Sequence, residues 1–221
     1  MRRVIVAAFV SLDGVMQAPG GPEEDPSGGF AFGGWTYPHW DEVMGEAMGE
    51  SFAQPFALLL GRRTYDIFAA HWPNTEEEPA ALFNAVTKYV ATSSVEPLEW
   101  QNSVKLEGDV TSAVARLKRE EGPDLLTQGS SVLVGSLLAA GLVDELRLLV
   151  FPVLLGRGKK LIGEDVQPGE WTLLHSRTST TGVIIARYRP AGPVRTGSFA
   201  LAEPSEAELA RQAKMRAEEA W

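Results

Sequence analysis

The sequence predicts an α/β fold: a mostly parallel sheet with helices on both faces and antiparallel strands at its C-terminal edge. Three observations predict it. Strand-length apolar runs alternate with segments of helical period from Arg2 to Phe151. Three strands end in glycine or small hydroxyl residues, at Gly61-Arg62-Arg63-Thr64, Thr92-Ser93-Ser94 and Gly129-Ser130-Ser131. Two further strands, Glu170–Thr178 and Val183–Arg189, are separated only by Ser179–Gly182, the spacing of an antiparallel hairpin.

Arg2–Leu12 is β-branched and apolar almost throughout, as a central strand buried on both faces should be. Ala7 and Ala8 are small where their neighbours are large; either a flat ligand or a helix packs there. Ser11-Leu12-Asp13-Gly14 is a turn signal. Gln17–Pro38 holds six glycines and four prolines, with Phe30, Phe32, Trp35 and Tyr37 among them. No regular element fits, and a loop of this length reads as a lid or pocket wall. His39–Phe52 is a helix weakened by Gly45 and Gly49, with Val43 and Ala47 inward and Asp41 and Glu42 at its positive end. Gln54–Gly61 is a buried strand, and a helix follows over Thr64–Ala70. Asn74–Pro79 is an acidic loop. Thr87–Ala91 and Ser103–Leu106 are strands. Asp109 caps a helix reaching Glu121, with Val110, Ala113, Val114 and Leu117 on one face. Asp124–Gln128 is a strand, Ser130-Ser131 opens an apolar helix that stops at Gly141, and Val143–Val153 is a strand leading to the turn Gly156-Arg157-Gly158. Residues 1–189 form one domain. Residues 190–221 are a partly helical C-terminal extension, in which Ser205 and Glu208 make a capping-box pattern.

The totals narrow the functions. With 221 residues, 44% hydrophobic and 22% charged, the chain has a normal globular composition. No apolar run reaches the roughly 20 residues that span a bilayer, and Met1-Arg2-Arg3-Val4 does not open a signal peptide. There are no cysteines, hence no disulfide or thiolate chemistry; the expected compartment is the cytoplasm. A net charge of −9 opposes nucleic-acid binding. Neither a metal-ligand spacing nor a Ser-His-Asp arrangement is present.

In an open α/β sheet, ligands bind outside the carboxyl ends of the strands. The helix start after Gly129 offers free N–H groups and a positive dipole end, unless Ser130 is only a cap. Arg62 and Arg63 carry planar forks suited to phosphate, unless they are solvated surface charges. If the three strand ends are neighbours, the ligand carries at least two phosphate groups, which describes a phosphorylated dinucleotide such as NADPH.

The segments Val6-Ala7-Ala8 with Ser11-Leu12-Asp13-Gly14, Leu60-Gly61-Arg62-Arg63-Thr64-Tyr65, Gly129-Ser130-Ser131-Val132-Leu133, and Gly141–Arg147 running into Pro152–Gly158 carry a resemblance. On them the chain resembles the dihydrofolate reductase-like superfamily. Within it, the chain is similar to the C-terminal reductase domain of the bifunctional riboflavin-biosynthesis deaminase–reductase. The resemblance covers residue 1 to about residue 189 and implies a dihydrofolate reductase-like fold, an NADPH site and a homodimer. It puts Arg62 on the 2′-phosphate, with Thr92, Ser93 and Ser94 at the adjoining strand end. Gly61, Arg63 and Thr64 would run along the pyrophosphate, with Gly129 and the N–H groups of Ser130, Ser131 and Val132 on its other side. Ala7 and Ala8 would lie under the nicotinamide. Relatives often carry Gly-Gly where this chain has Gly129-Ser130. The implied activity is NADPH-dependent reduction of a pyrimidine- or pteridine-like heterocycle, similar to that of 5-amino-6-(5-phosphoribosylamino)uracil reductase.

Hydride transfer asks the protein to stack the acceptor, exclude water and deliver a proton. Asp13 and Asp41 are the candidate acids; their alternatives are a turn and a helix-start charge. His39 and His71 could donate protons or be structural. Trp35, Tyr37 and Trp40 would line the substrate pocket. Arg157, Lys159 and Lys160 could meet a substrate phosphate or form a solvated turn. The alternative to an enzyme is a non-catalytic protein that sequesters a ligand on the same fold.

Overall fold

The computed structural model describes residues 1–163, 166–200 and 203–218. In chain order the elements are β1 (Val4–Ser11), α1 (Glu42–Phe52), β2 (Phe56–Gly61), α2 (Arg62–His71), α3 (Ala80–Ala85), β3 (Lys88–Ala91) and β4 (Ser103–Lys105). There follow α4 (Val110–Arg119), β5 (Asp124–Gln128), α5 (Ser131–Ala139), β6 (Glu145–Phe151), β7 (Glu170–Thr178), β8 (Ile184–Gly192) and α6 (Glu206–Ala217). The strands form one eight-stranded sheet in the order β4-β3-β2-β5-β1-β6-β8-β7. Pairing is parallel from β4 to β6 and antiparallel from β6 through β8 to β7. The fold is therefore the mostly parallel sheet with antiparallel C-terminal edge strands that the sequence predicts.

β1 is the central strand, paired with β5 over Val4–Ala7 and with β6 over Ile5–Ser11. Successive side chains point to opposite faces. Val4, Val6, Ala8 and Val10 join Val114 and Leu117 of α4 and Leu133, Val134 and Leu137 of α5 in one cluster. Each such fully buried aliphatic side chain stabilises by roughly 1.5–3 kcal/mol. The opposite face carries two separate clusters. Ile5, Ala7, Leu58, Leu60 and Phe83 pack with α2 and α3. Leu149 and Phe151 pack with Met44 and Ala47 of α1 and with Trp35 of the long loop. A cleft lies between them.

The elements differ from expectation in informative places. α2 begins at Arg62, not Thr64, because Gly61 is its N-cap; both arginines therefore stand in its first turn. β6 is shorter than the strand expected over 143–153. α3 has no capping side chain; it exists because Ala80 and Phe83 are buried, a case of packing overriding local propensity. The long loop contains only two single 3-10 turns, Ser27–Gly29 and Tyr37–His39. β8 runs to Gly192, past the boundary expected after residue 189, and Arg195 beyond it pairs with Glu170 of β7 at 2.8 Å. In α6, the Ser205 hydroxyl accepts from the Glu208 N–H, while the Glu208 carboxylate turns to Arg211 and Gln212, so half of the capping box forms. Among the described residues, no helix is long and apolar enough to cross a membrane.

Candidate functional site

The cleft has a volume of about 1630 Å³. Its floor is the sheet. In the parallel register, Ala7 of β1 stands beside Gln128 of β5 and Arg147 of β6, and Phe9 stands beside Leu149; all five line the cleft. Ala7 is the low point among larger neighbours, so a flat ring can rest there. Ala8 also lines the cleft, but its methyl group belongs to the core of the other face and it offers main chain only.

At one end, the N-termini of α2 and α5 meet. The Gly61 N–H donates to Ser130 Oγ at 2.9 Å, and the Ser130 N–H donates to Thr64 Oγ1 at 2.9 Å. Gly129 has φ +66°, and a Cβ there would lie 3.0 Å from Thr64 Oγ1. Ser130 follows at φ +58°, a left-handed conformation costing roughly 1–2 kcal/mol for a residue with a Cβ. The two hydrogen bonds offset that cost. Ser130 is thus neither an ordinary side-chain cap nor a free amide: its N–H is taken by Thr64. The amides left to an anion are those of Ser131, Val132 and Leu133, which have no intrahelical acceptor in a first turn. Two positive helix ends converge on this point. Beside them, Arg62 bridges Asp66 at 2.8 Å and Glu96 at 3.0 Å. Thr92 and Ser93 line the same end, but Ser94 does not; its hydroxyl accepts from the Glu96 N–H and its carbonyl from Lys105. The arrangement suits a ligand with more than one phosphate group.

The loop forms the wall. Gln17 Nε2 donates to the carbonyls of Asp25 and Ser27, and Gln17 Oε1 accepts from the Lys159 N–H. Asp25 is buried and holds Arg63 at 3.0 Å and also Lys159. Burial pushes its carboxyl up, but the Lys159 ammonium and Ser27 outweigh this and keep it below the usual range. Glu24, also on the wall, is pushed up by burial despite accepting from the Gly20 N–H.

The far end is aromatic. Phe52, Phe68, Trp72 and Phe83 line it, with ring centroids 5.2 Å apart for Phe52–Phe83, 6.0 Å for Phe68–Phe83 and 4.9 Å for Trp72–Phe83. Gly45 and Gly49 of α1 and the acids Glu77 and Glu78 complete it. Arg147 reaches across the floor, donating to Glu145 at 2.7 Å and to the Ser51 carbonyl at 3.1 Å. Burial pushes the Glu145 carboxyl up, but Arg147 and Arg187 outweigh it and hold it low.

Several expected site residues stand elsewhere. The Asp13 carboxylate accepts from the Ser11 hydroxyl and from the Leu155 and Gly156 N–H groups; these bonds, Ser11 first, pull it down to about 2. Asp41 caps α1 through the Met44 N–H and accepts from the Thr180 N–H and hydroxyl. Neither acid lines the cleft, and each is saturated by bonds that pin a turn. Trp35 is core: its ring meets Phe151 at 5.2 Å and its N–H donates to the Gln17 carbonyl. Tyr37 and Trp40 line the cleft but are 83% and 46% exposed, so they form its rim. His71 and Lys159 line it; His39, Arg157 and Lys160 do not. The residues that sequence reasoning missed are Arg147, Glu24 and the aromatic set. The pair Gly45 and Gly49, four apart on one helix face, was the available signal.

Comparison with known proteins agrees with this fold. YyaP of Bacillus subtilis, itself uncharacterized, is 27% identical over 196 residues, covering 85% of this chain and 94% of that protein. A solved Shewanella sp. PV-4 protein, assigned provisionally to riboflavin biosynthesis, superimposes with a TM-score of 0.60 at 19% identity, covering 86% of this chain and 99% of that one. Dihydrofolate reductase of Enterococcus faecalis, solved with NADP(H), gives 0.54 at 16% identity, covering 85% and 96%. Residues 2–185, from the start of the central strand into β8, match the RibD C-terminal domain family, and the chain belongs to that family.

Proposed function

We propose that this protein is an NADPH-dependent oxidoreductase that reduces a flat pyrimidine- or pteridine-like heterocycle, working as a cytoplasmic homodimer. One observation carries the reading: two helix N-termini and Arg62 converge at strand ends, and the cleft runs from there onto the bare Ala7 floor. The Gly129 position, where a Cβ would crowd Thr64, fits a backbone that must stay close-packed under a pyrophosphate. NADPH would supply the hydride. The first-turn amides of α5, with Arg63 and Thr64, would hold the pyrophosphate, and Arg62 would meet the 2′-phosphate by exchanging Glu96 for it. Ala7 would support the nicotinamide ring. Glu24, the wall carboxyl that burial favours in its protonated form, would deliver the proton, a task for which Asp13 and Asp41 are misplaced.

The test is a titration of NADPH and NADH against wild type and Arg62→Ala. Loss of one phosphate contact should weaken NADPH by about 30-fold and NADH by far less. Equal losses, or no NADPH binding by the wild type, refute the cofactor assignment. The sequestering alternative draws on Asp13 and Asp41, neither of which lines the cleft. Stopped-flow oxidation of bound NADPH against pterins, ribosylaminopyrimidines and flavins separates the two: a trap binds heterocycles and oxidises nothing.

A further inference from the structure

Resting on the reading that a heterocycle lies over Ala7, we infer that the far lobe selects a substrate whose substituent is uncharged and apolar, and rejects one bearing a phosphate or carboxylate. Four observations on separate elements point the same way. The rings of Phe52, Phe68 and Trp72 form one wall, each packed on the buried Phe83 behind them, and an aryl or alkyl group gains area and edge contacts against it. α1, which brings Met48 and Phe52 to the cleft, carries no side chain at Gly45 and Gly49 beside them. A Cβ at Gly45 or Gly49 would meet no atom within 4 Å, so the two residues least suited to a helix after proline leave open room rather than easing a tight contact.

The charges complete the argument. Glu77 and Glu78, both exposed, border this lobe, and like charges repel an anionic tail. Among the described residues, the lysine and arginine side chains that line the cleft are already engaged. Arg62 faces Asp66 and Glu96, Arg63 and Lys159 face Asp25, and Arg147 is held by Glu145 and the Ser51 carbonyl. His71, against Trp72 at 4.7 Å, is the remaining ionisable group there. A phosphate would enter a lobe bordered by two carboxylates, and Arg147 could meet it only by leaving the buried Glu145, whereas Arg62 has only the exposed Asp66 and Glu96 to leave; a phenyl group would enter an aromatic wall.

The experiment is calorimetric titration of the full chain with pterin, phenylpterin and carboxypterin. The substituted ligands are offered as both 6- and 7-isomers, so that ring orientation does not decide the result. The better phenyl isomer should bind at least about tenfold more tightly than either carboxylate. Gly49→Leu, with Gly45→Leu as the independent second variant, should remove that advantage while leaving plain pterin within about twofold. Glu77→Gln with Glu78→Gln should raise carboxypterin affinity and leave phenylpterin unchanged. A carboxylate that binds as tightly as the phenyl compound, or a phenyl advantage that survives both leucine variants, overturns the inference. If no pterin binds while NADPH does, the heterocycle reading itself fails and the inference falls with it.

Discussion

On one face of β1, Val4, Val6, Ala8 and Val10 disappear beneath α4 and α5; on the other, Ile5 is covered while Ala7 and Phe9 look into the cleft. The strand is the same and its residues differ little in size between faces. The difference is in the helices. α5 presents Leu133, Val134, Leu137 and Leu138, all buried, and closes its face without a gap. α1 presents Gly45 and Gly49, which leave open space, and α2 opens with Arg62 and Arg63, whose side chains turn to Asp66, Glu96 and Asp25, so this face is left unfilled. One face supplies stability and the other gives up burial to keep a cavity. Substitutions on the two faces should therefore separate stability from binding.

The largest expected effect is on the closed face. Leu137 is fully buried, and Leu137→Ala should cost about 3 kcal/mol of stability, measured by urea unfolding, with NADPH affinity at low temperature unchanged. A binding loss as large as the stability loss would end the separation. Next comes Glu24 on the open side. Glu24→Gln should slow steady-state reduction by about 100-fold with little change in unfolding midpoint. In the wild type the rate should fall as pH rises through the raised Glu24 pKa, because the donor form is then lost; Glu24→Gln should flatten that limb. Ser130→Ala should be intermediate. It keeps the left-handed backbone but loses the acceptor for the Gly61 N–H, costing about 1–2 kcal/mol and loosening NADPH together with the fold. Ser130→Gly relieves the backbone and should cost less. The smallest is Asp13→Ala, at about 1 kcal/mol. The folded pKa of Asp13 lies near 2, below its ordinary 3.8. Its contribution is therefore complete above pH 3.8 and is lost as pH falls through about 2, so the variant should flatten acid unfolding in that window while leaving reduction rates intact.

Much of this architecture is legible in the sequence, and the reason is burial. β1 and β2 are covered on both faces over most of their length and so read as continuous apolar runs, while β5 is buried through Leu125, Leu126 and Thr127. The glycine and hydroxyl residues at strand ends mark where the chain turns at the cleft. Asp13 and Asp41 take the alternatives that their local sequence offers, a turn with Ser11 and a helix start at Met44; their other partners, Leu155 with Gly156 and Thr180, lie too far along the chain for a local pattern to show. Trp35 was misread because an aromatic in a glycine-rich loop looks the same whether it faces a ligand or a core. The far lobe was invisible for a similar reason: Phe52, Phe68, Trp72 and Phe83 come from separate segments, and one of them sits on α3, a helix created by its own packing. Arg147 could have been found by counting: it stands two residues after Glu145 on β6, on the face that Ala7 shares.

Asp25 joins three distant parts of the chain, the loop, the start of α2 and the turn before residue 160, through Arg63 and Lys159. Its side chain is only 11% exposed, so salt screens the clamp weakly. Any outward movement of Asp25 must break both contacts together. Under the proposed reading, the walls would decide which molecule is held, and its dwell time would follow how often one aspartate lets go.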